Sequence, residues 1–369
     1  MFDEDHEKFR RIVREFLTEE VVPAYPGWEG TGRPSREFWL RAGELGILGI
    51  GVPEEYGGLP GSDFRHSAVV TEEAQRLFLA LGGLRVHTDI CMPYFLEYAS
   101  EEQKARWLPR LVSGRAVVAL GMSEPAAGSD MKAMATRAVR DGDHYVVDGA
   151  KTFISNGAAA DLVVLAVKTA PEAGRDGISL LVVETDTAGF GRGRKLDKLG
   201  LRAQDLAELS FTDMRVPVEN LLGEENAGFR YLTANLAQER LSIAINSQAA
   251  AEAVLDATVA LLSGHRTEQN TKFEVAACTT DVRAGRALID ASLAALVAGD
   301  LDGADAAVAK LYCTELQGRV ADRCLQLAGT DGYRWGSPLG RAYLDGRVSR
   351  VYGGSSEIMK VIVAKAAGL

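Results

Sequence analysis

The sequence predicts an α+β multi-domain chain: an N-terminal helical domain (residues 1–114), a middle antiparallel β-domain (115–225) and a C-terminal helical bundle (226–369). Three observations carry that reading. Apolar residues recur at helical spacing as far as Gly114, short β-rich runs separated by Gly/Asp turns fill the middle, and long Ala/Leu-rich stretches close the chain.

In the first unit Phe9, Ile12, Val13, Phe16 and Leu17 repeat at helical spacing with charges on the opposite face, so an amphipathic helix is expected to end before Pro23. Similar patterns follow in REFWLRAGELGIL, TEEAQRLFLALGGL and SEEQKARWLPRLVSG. In the last, Ser100 with Glu101 and Glu102 marks a helix start and Gly114 a stop. The β runs are AVVAL (116–120), HYVVDG (144–149), DLVVLAVK (161–168), ISLLVVE (178–184) and LAELSFTDMRV (206–216), with no helices between them. From Asn226 the spacing predicts helices over 227–264, 272–298, 303–328 and 355–367, lengths that suit a bundle.

Composition narrows the class. Hydrophobic residues at 47% and charged residues at 25% exclude intrinsic disorder and a small disulfide scaffold. A net charge of −10 and the lack of a clustered basic run argue against a nucleic-acid partner. Cys91, Cys278, Cys313 and Cys324 form no C-x-x-C pair and have no histidine at ligand spacing, so they are expected as reduced core thiols, with no metal. The start is acidic and amphipathic, unlike a signal peptide, and no stretch approaches ~18 uncharged apolar residues. The expected address is the cytoplasm, without a membrane partner.

Three segments offer chemistry. GMSEPAAGSDM (121–131) follows a strand and is crowded with small residues and hydroxyls, so backbone N–H groups can approach a planar or anionic ligand; an ordinary surface loop is the plain alternative. KTFISNGA (151–158) sets Phe153 two residues before Ser155 at a strand end. YGGSSEIM (352–359) puts two glycines ahead of Ser355 and Ser356, either of which can cap the helix that follows.

Taken together and in order, VPEEYGG (52–58), MSEPAAGSD (122–130), KTFISNG (151–157), FTDMRVPVENLLGEENAGF (211–229), QLAGTDGY (326–333) and YGGSSEIM resemble the landmarks of the acyl-CoA dehydrogenase family over essentially the whole chain. The resemblance implies a C-terminal four-helix bundle, FAD lying between the β-domain and the bundle, and a homotetramer, or else a dimer. It implies Met122 and Ser123 facing the flavin ring and Ser155 bonding near its reactive nitrogen. Phe153 stands where tryptophan is common, and Ser355 lies in the last motif beside the cofactor. Arg266, Gln326 and Gly329 match positions that reach a neighbouring subunit's FAD at its pyrophosphate and adenosine end, a task that suits arginine's fork. Two departures imply a looser grip there: Gln269 and Asn270 replace a phenylalanine and a glycine, and Thr330 replaces a second glycine.

The family removes a proton from the carbon next to a thioester carbonyl while hydride leaves the next carbon for the flavin. Many members take the base from a glutamate directly after the last motif's tyrosine, where this chain has Gly353. Glu239, followed by Arg240 in LAQERLSIAI, fits the minority pattern of the long-chain and isovaleryl-CoA enzymes, with Gly353 leaving space for a carboxylate arriving from the helix side. Glutamates at both places would repel. A solvated helix face is the plain reading of Glu239, but Leu236, Leu241, Ile243, Ala244 and Ile245 make its surroundings apolar, and burial would raise its pKa toward working pH.

The resemblance further implies an oxyanion donor in the backbone N–H of Gly353, joined by a ribityl hydroxyl of the cofactor. Tyr352 and Gly354 flank that donor at the substrate, Ser129 matches a position near the pantetheine chain, and Arg240 either shapes the acyl pocket or makes a salt bridge. The substrate is acyl-CoA, or an acyl group on a carrier protein, and the electron acceptor is one such as electron-transfer flavoprotein. A flavin monooxygenase or oxidase on the same scaffold is the rival reading, and Glu239 speaks against it.

Overall fold

The computed structural model describes residues 2–264, 266–334 and 336–369. Seven helices come first: α1 (Glu4–Phe16), α2 (Val22–Thr31), α3 (Arg36–Glu44), α4 (Phe64–Arg76), α5 (Gly82–Arg85), α6 (Met92–Tyr98) and α7 (Glu101–Val112). Seven strands follow: β1 (Val118–Gly121), β2 (Arg137–Asp141), β3 (His144–Ser155), β4 (Leu162–Lys168), β5 (Ile178–Glu184), β6 (Phe190–Lys195) and β7 (Leu206–Pro217). The chain closes with α8 (Gly228–Ala234), α9 (Leu236–Leu262), α10 (Gln269–Ala298), α11 (Gly303–Gly332), α12 (Pro338–Gly346) and α13 (Ser356–Ala366).

Helix ends follow capping chemistry. Asp3 with His6 opens α1, Asp63 with His66 opens α4, and Ser100 with Gln103 opens α7, each as a reciprocal capping box. The first helix ends at Phe16, before Pro23 as expected, but the chain does not leave helical geometry there. A π-helical turn, Leu17–Val21, passes the chain into α2 with Pro23 in its first turn, where the missing N–H is not needed.

The sheet runs β1-β4-β2-β3-β7-β6, with β5 pairing β4. It is mostly antiparallel, but β1 pairs β4 in parallel, with Val118 opposite Leu162 and Gly121 opposite Leu165. Every residue of β4 is buried because both faces are covered. Leu162, Val164 and Ala166 join Tyr94, Phe95, Trp107 and Leu111 of the preceding helices, while Val163, Leu165 and Val167 join Val147, Leu209 and Met214 from β3 and β7. β2 and β6 were not anticipated; in β6 three of the six residues are charged and two are glycine, which leaves little apolar signal.

The helix expected over 227–264 is broken at Asn235 into α8 and α9, so Glu239 lies in the first turn of α9, not in mid-helix. α9 packs on α4 and α11 through Ala68, Leu241, Ala244, Ile245, Ala309 and Cys313. The four cysteines are buried and reduced.

Candidate active site

Two hydrogen bonds tie the start of α9 to Asp89, and a third ties Asp89 to α4. Gln238 Nε2 donates to the Asp89 carbonyl at 2.8 Å, and Ser242 Oγ donates to the Asp89 carboxylate at 2.5 Å. Ser67 Oγ of α4 donates to the same carboxylate. Asp89 lies in a π-helical turn, Val86–Cys91, that leads directly into α6. One buried carboxylate therefore sets α9 against α6.

The Glu239 side chain is buried between these elements, and the Tyr94 hydroxyl of α6 donates to its Oε1 at 3.2 Å. Burial lifts the carboxyl pKa to about 7, against smaller downward effects of the Tyr94 hydrogen bond and the Arg240 charge. A carboxyl poised there exchanges a proton readily near neutral pH. Tyr94 also belongs to the apolar cluster on which Met122 packs, so the carboxyl and the 122–123 loop share one side of the sheet. Its role was invisible in the sequence, since 145 residues separate it from Glu239.

One turn beyond Glu239, Ile243 meets the last motif. Gly353 has φ +62°, and a Cβ built there would stand 2.2 Å from Ile243 Cδ1. The space expected to admit a carboxylate is therefore filled by an isoleucine of the same helix. Gly354 follows at φ +90°, its carbonyl accepting from Lys310 Nζ of α11 at 2.5 Å. Tyr352 is half-buried, and Ser355 caps α13 through Ile358 N. Arg240 makes no ion pair among the described residues; its Nη1 donates to the Gly303 carbonyl at 3.2 Å, and its buried Nε has no partner.

The second group of expected residues lies on the sheet. Thr152 N donates to the Ser123 carbonyl at 2.9 Å, and Lys151 Nζ reaches the Met122 carbonyl at 3.2 Å. These bonds join the 122–123 loop to the strand end that carries Phe153 and Ser155. Lys151 is also ion-paired with Glu124 at 2.7 Å in the interior. Gln204 Nε2 donates to Ser155 Oγ at 3.1 Å, and Asn156 Nδ2 bonds the Gly83 and Val118 carbonyls.

Phe153 is 63% exposed with φ +57°, a strained conformation for an aromatic residue. A bare ring held this way beside hydroxyls and a small-residue loop fits a flat heteroaromatic group, and the residues present suit a flavin. Ser129 lies exposed on the turn before Asp130. Arg266, Gln326 and Gly329 are exposed at the α9–α10 turn and near the end of α11, and no hydrogen bond or ion pair among the described residues links them to Met122, Ser123, Phe153 or Ser155. Gly329 interrupts α11 at φ +60°, ψ −138°, a backbone that only glycine adopts easily.

His6, expected with the other histidines to hold no metal, meets Asp63 and His66 of a helix start some sixty residues on, with potential ligand atoms within 4.8 Å of one another. Each imidazole Nδ1 already serves its own capping box, and Arg65 holds both Asp63 oxygens. No helix among the described residues is long and apolar enough to cross a membrane.

A buried carboxyl tuned to neutrality on the same side of the sheet as the 122–123 loop suits an oxidoreductase that moves a proton beside a planar group. The comparisons make the class specific. Sequence profiles described as the acyl-CoA dehydrogenase N-terminal, middle and C-terminal domains match residues 3–115, 119–214 and 226–368. The chain is 41% identical over 374 residues to the mitochondrial long-chain specific acyl-CoA dehydrogenase of Sus scrofa, covering 99% of this chain and 87% of that protein. It is 34% identical to an acyl-CoA dehydrogenase of Bacillus subtilis, covering 96% of each. A crystal structure of acyl-CoA dehydrogenase from Geobacillus kaustophilus superposes with a TM-score of 0.97 at 44% identity, covering 100% of this chain and 99% of that one. The chain belongs to the acyl-CoA dehydrogenase family, and its reaction is the dehydrogenation of acyl-CoA.

Proposed function

We propose that Glu239 is the base that takes the α-proton of the acyl thioester. The observation that carries this is its burial with a pKa of about 7, one helical turn from the Ile243 side chain that packs on Gly353. The Gly353 N–H donates to the thioester oxygen and stabilises the charge that develops there as the proton leaves. Arg240 keeps Glu239 from drifting further toward the protonated form, and with Tyr352 and Gly354 it walls the acyl pocket, while Ser129 borders the pantetheine path.

Met122, Ser123, Phe153, Ser155 and Ser355 hold the FAD of one subunit, and Arg266, Gln326 and Gly329 serve a neighbour's in a homotetramer. When bound, FAD accepts the hydride from the β-carbon. In this reading the segments 1–114, 115–225 and 226–369 are the three domains, electron-transfer flavoprotein takes the electrons, and the enzyme works in the cytoplasm. The test is anaerobic flavin bleaching with a panel of acyl-CoAs. Glu239→Gln retains FAD and binds thioester but no longer bleaches; bleaching at the wild-type rate would sink the assignment.

A further inference from the structure

Lys310 is fully buried on α11, yet no carboxylate among the described residues lies within ion-pairing distance of it. Its closest charged influences are unfavourable or distant: Arg240 opposes its charge, while Glu315 and Glu357 help only through space. Burial first, and Arg240 second, lower its pKa to about 8. An ammonium placed in the interior without a counter-charge costs stability that a methionine of similar length would not. Such a group calls for a task.

Its polar contact supplies one. Nζ donates to the Gly354 carbonyl, directly after the residue whose N–H faces the thioester oxygen in the reading above. Gly353 and Gly354 are consecutive residues at positive φ, a conformation with little intrinsic preference to persist. Side chains limit the turn on both sides, since added Cβ atoms would meet Ile243 at 353 and Met359 Cε, at 2.5 Å, at 354. α11 secures the far end as well: Ser356 Oγ donates to Glu315 Oε1 at 2.7 Å, and Arg350 pairs with Glu315 at 3.2 Å.

Walls alone leave the peptide planes free to rock. A charged donor on the Gly354 carbonyl holds the Gly354–Ser355 plane and so anchors the end of the turn from which the two preceding planes hang, because charge-assisted hydrogen bonds are about twice as strong as neutral ones.

We infer that Lys310 is a positioning residue for the dehydrogenation: its ammonium clamps the Gly353–Gly354 turn so that the Gly353 N–H points at the thioester oxygen. The inference rests on the assignment of that N–H as the oxyanion donor. Lys310 itself touches neither substrate nor proton. Its removal would leave the donor present but misaimed, a milder loss than deletion of a donor.

The test compares Lys310→Met, Lys310→Gln and Lys310→Arg with wild type, all as FAD-loaded protein. Flavin bleaching by acyl-CoA is expected to slow roughly 10- to 100-fold in Lys310→Met, below the ~10²–10³ of a deleted donor, with FAD content and thioester affinity retained. The carbonyl stretch of a bound enoyl thioester should move back toward its solution frequency, and the amides of 352–356 should exchange faster with solvent. Lys310→Arg should restore most of the rate and of the carbonyl shift, with Lys310→Gln between.

Wild-type bleaching and an unchanged carbonyl stretch in Lys310→Met would overturn the inference alone. So would a slow Lys310→Met that keeps the full carbonyl shift, since a merely structural lysine would behave that way. Failure of the wild type to bleach with any acyl thioester would remove the underlying reading and this inference with it. If Lys310→Met does not fold, the glutamine and arginine variants are read by the same criteria.

Discussion

Gly353 and Ile243 interlock: the place where a side chain would begin at 353 lies 2.2 Å from the end of the isoleucine, four residues after Glu239 on α9. The glycine is thus matched to the helix that carries the carboxyl. The last motif and the start of α9 are one packing unit.

Gly353→Ala is accordingly expected to cost about 2–4 kcal/mol, combining overpacking with the left-handed backbone penalty. Ile243→Val removes the clashing Cδ1 and leaves the next atom of that side chain at 3.7 Å. Adding it to Gly353→Ala should return the overpacking part, roughly 1–2 kcal/mol, although Ile→Val alone destabilises by ~0.5–1.5 kcal/mol. Urea denaturation of the two single variants and the double variant checks the cycle; strict additivity would contradict the contact.

Burial sets the pH profile of Glu239, and Tyr94 trims it. Its hydrogen bond lowers the Glu239 pKa against the upward pull of burial. Flavin reduction in wild type should rise with pH through a midpoint near 7, as the carboxyl ionises. In Tyr94→Phe the midpoint moves to higher pH, and stopped-flow bleaching across pH 6–9 reads the shift. A midpoint that stays in place or moves down would contradict the bond's role.

Glu239 also links stability to pH. Its folded pKa of about 7 exceeds the ordinary 4.5, so the folded state holds the proton more tightly than the unfolded chain. The associated stabilisation is complete below 4.5 and is lost as pH rises through 7. At ~1.4 kcal/mol per unit, the ionised form costs on the order of 3 kcal/mol above both values. Glu239→Gln should therefore gain stability over wild type at pH 8.5 and gain little at pH 5 in paired thermal melts; an equal difference at both would refute the linkage.

Under the 122–123 loop, Glu124→Gln strands the Lys151 ammonium in the interior. Breaking one partner of a buried pair costs about 3–5 kcal/mol. Chemical denaturation should show that loss, together with lower FAD retention on gel filtration. Replacing both partners by apolar residues should be milder than the single change.

Much of this was legible in the sequence because it is local. Ser100 and Gly114 bound their helix through capping and left-handed preference, and Glu239 stood out as a carboxylate in an apolar helical stretch. The contributions of Tyr94 and Lys310 were not legible, because they arise from partners 145 and 44 residues away. The parallel β1–β4 pairing was missed for a related reason: such pairs leave no tight turn between their strands. The continuation of helical geometry past Pro23 was not legible because a π-helical turn places the proline in the first turn of α2, where it is tolerated, and the break at Asn235 was hidden because asparagine does not forbid a helix.

Since Glu239 and Ile243 sit about 6 Å apart along one helix, a slide of α9 along its axis carries the Glu239 carboxyl and the wall behind the Gly353–Gly354 turn by the same displacement. The spacing between these two parts is set by four residues of a single helix and not by how α9 docks on its neighbours.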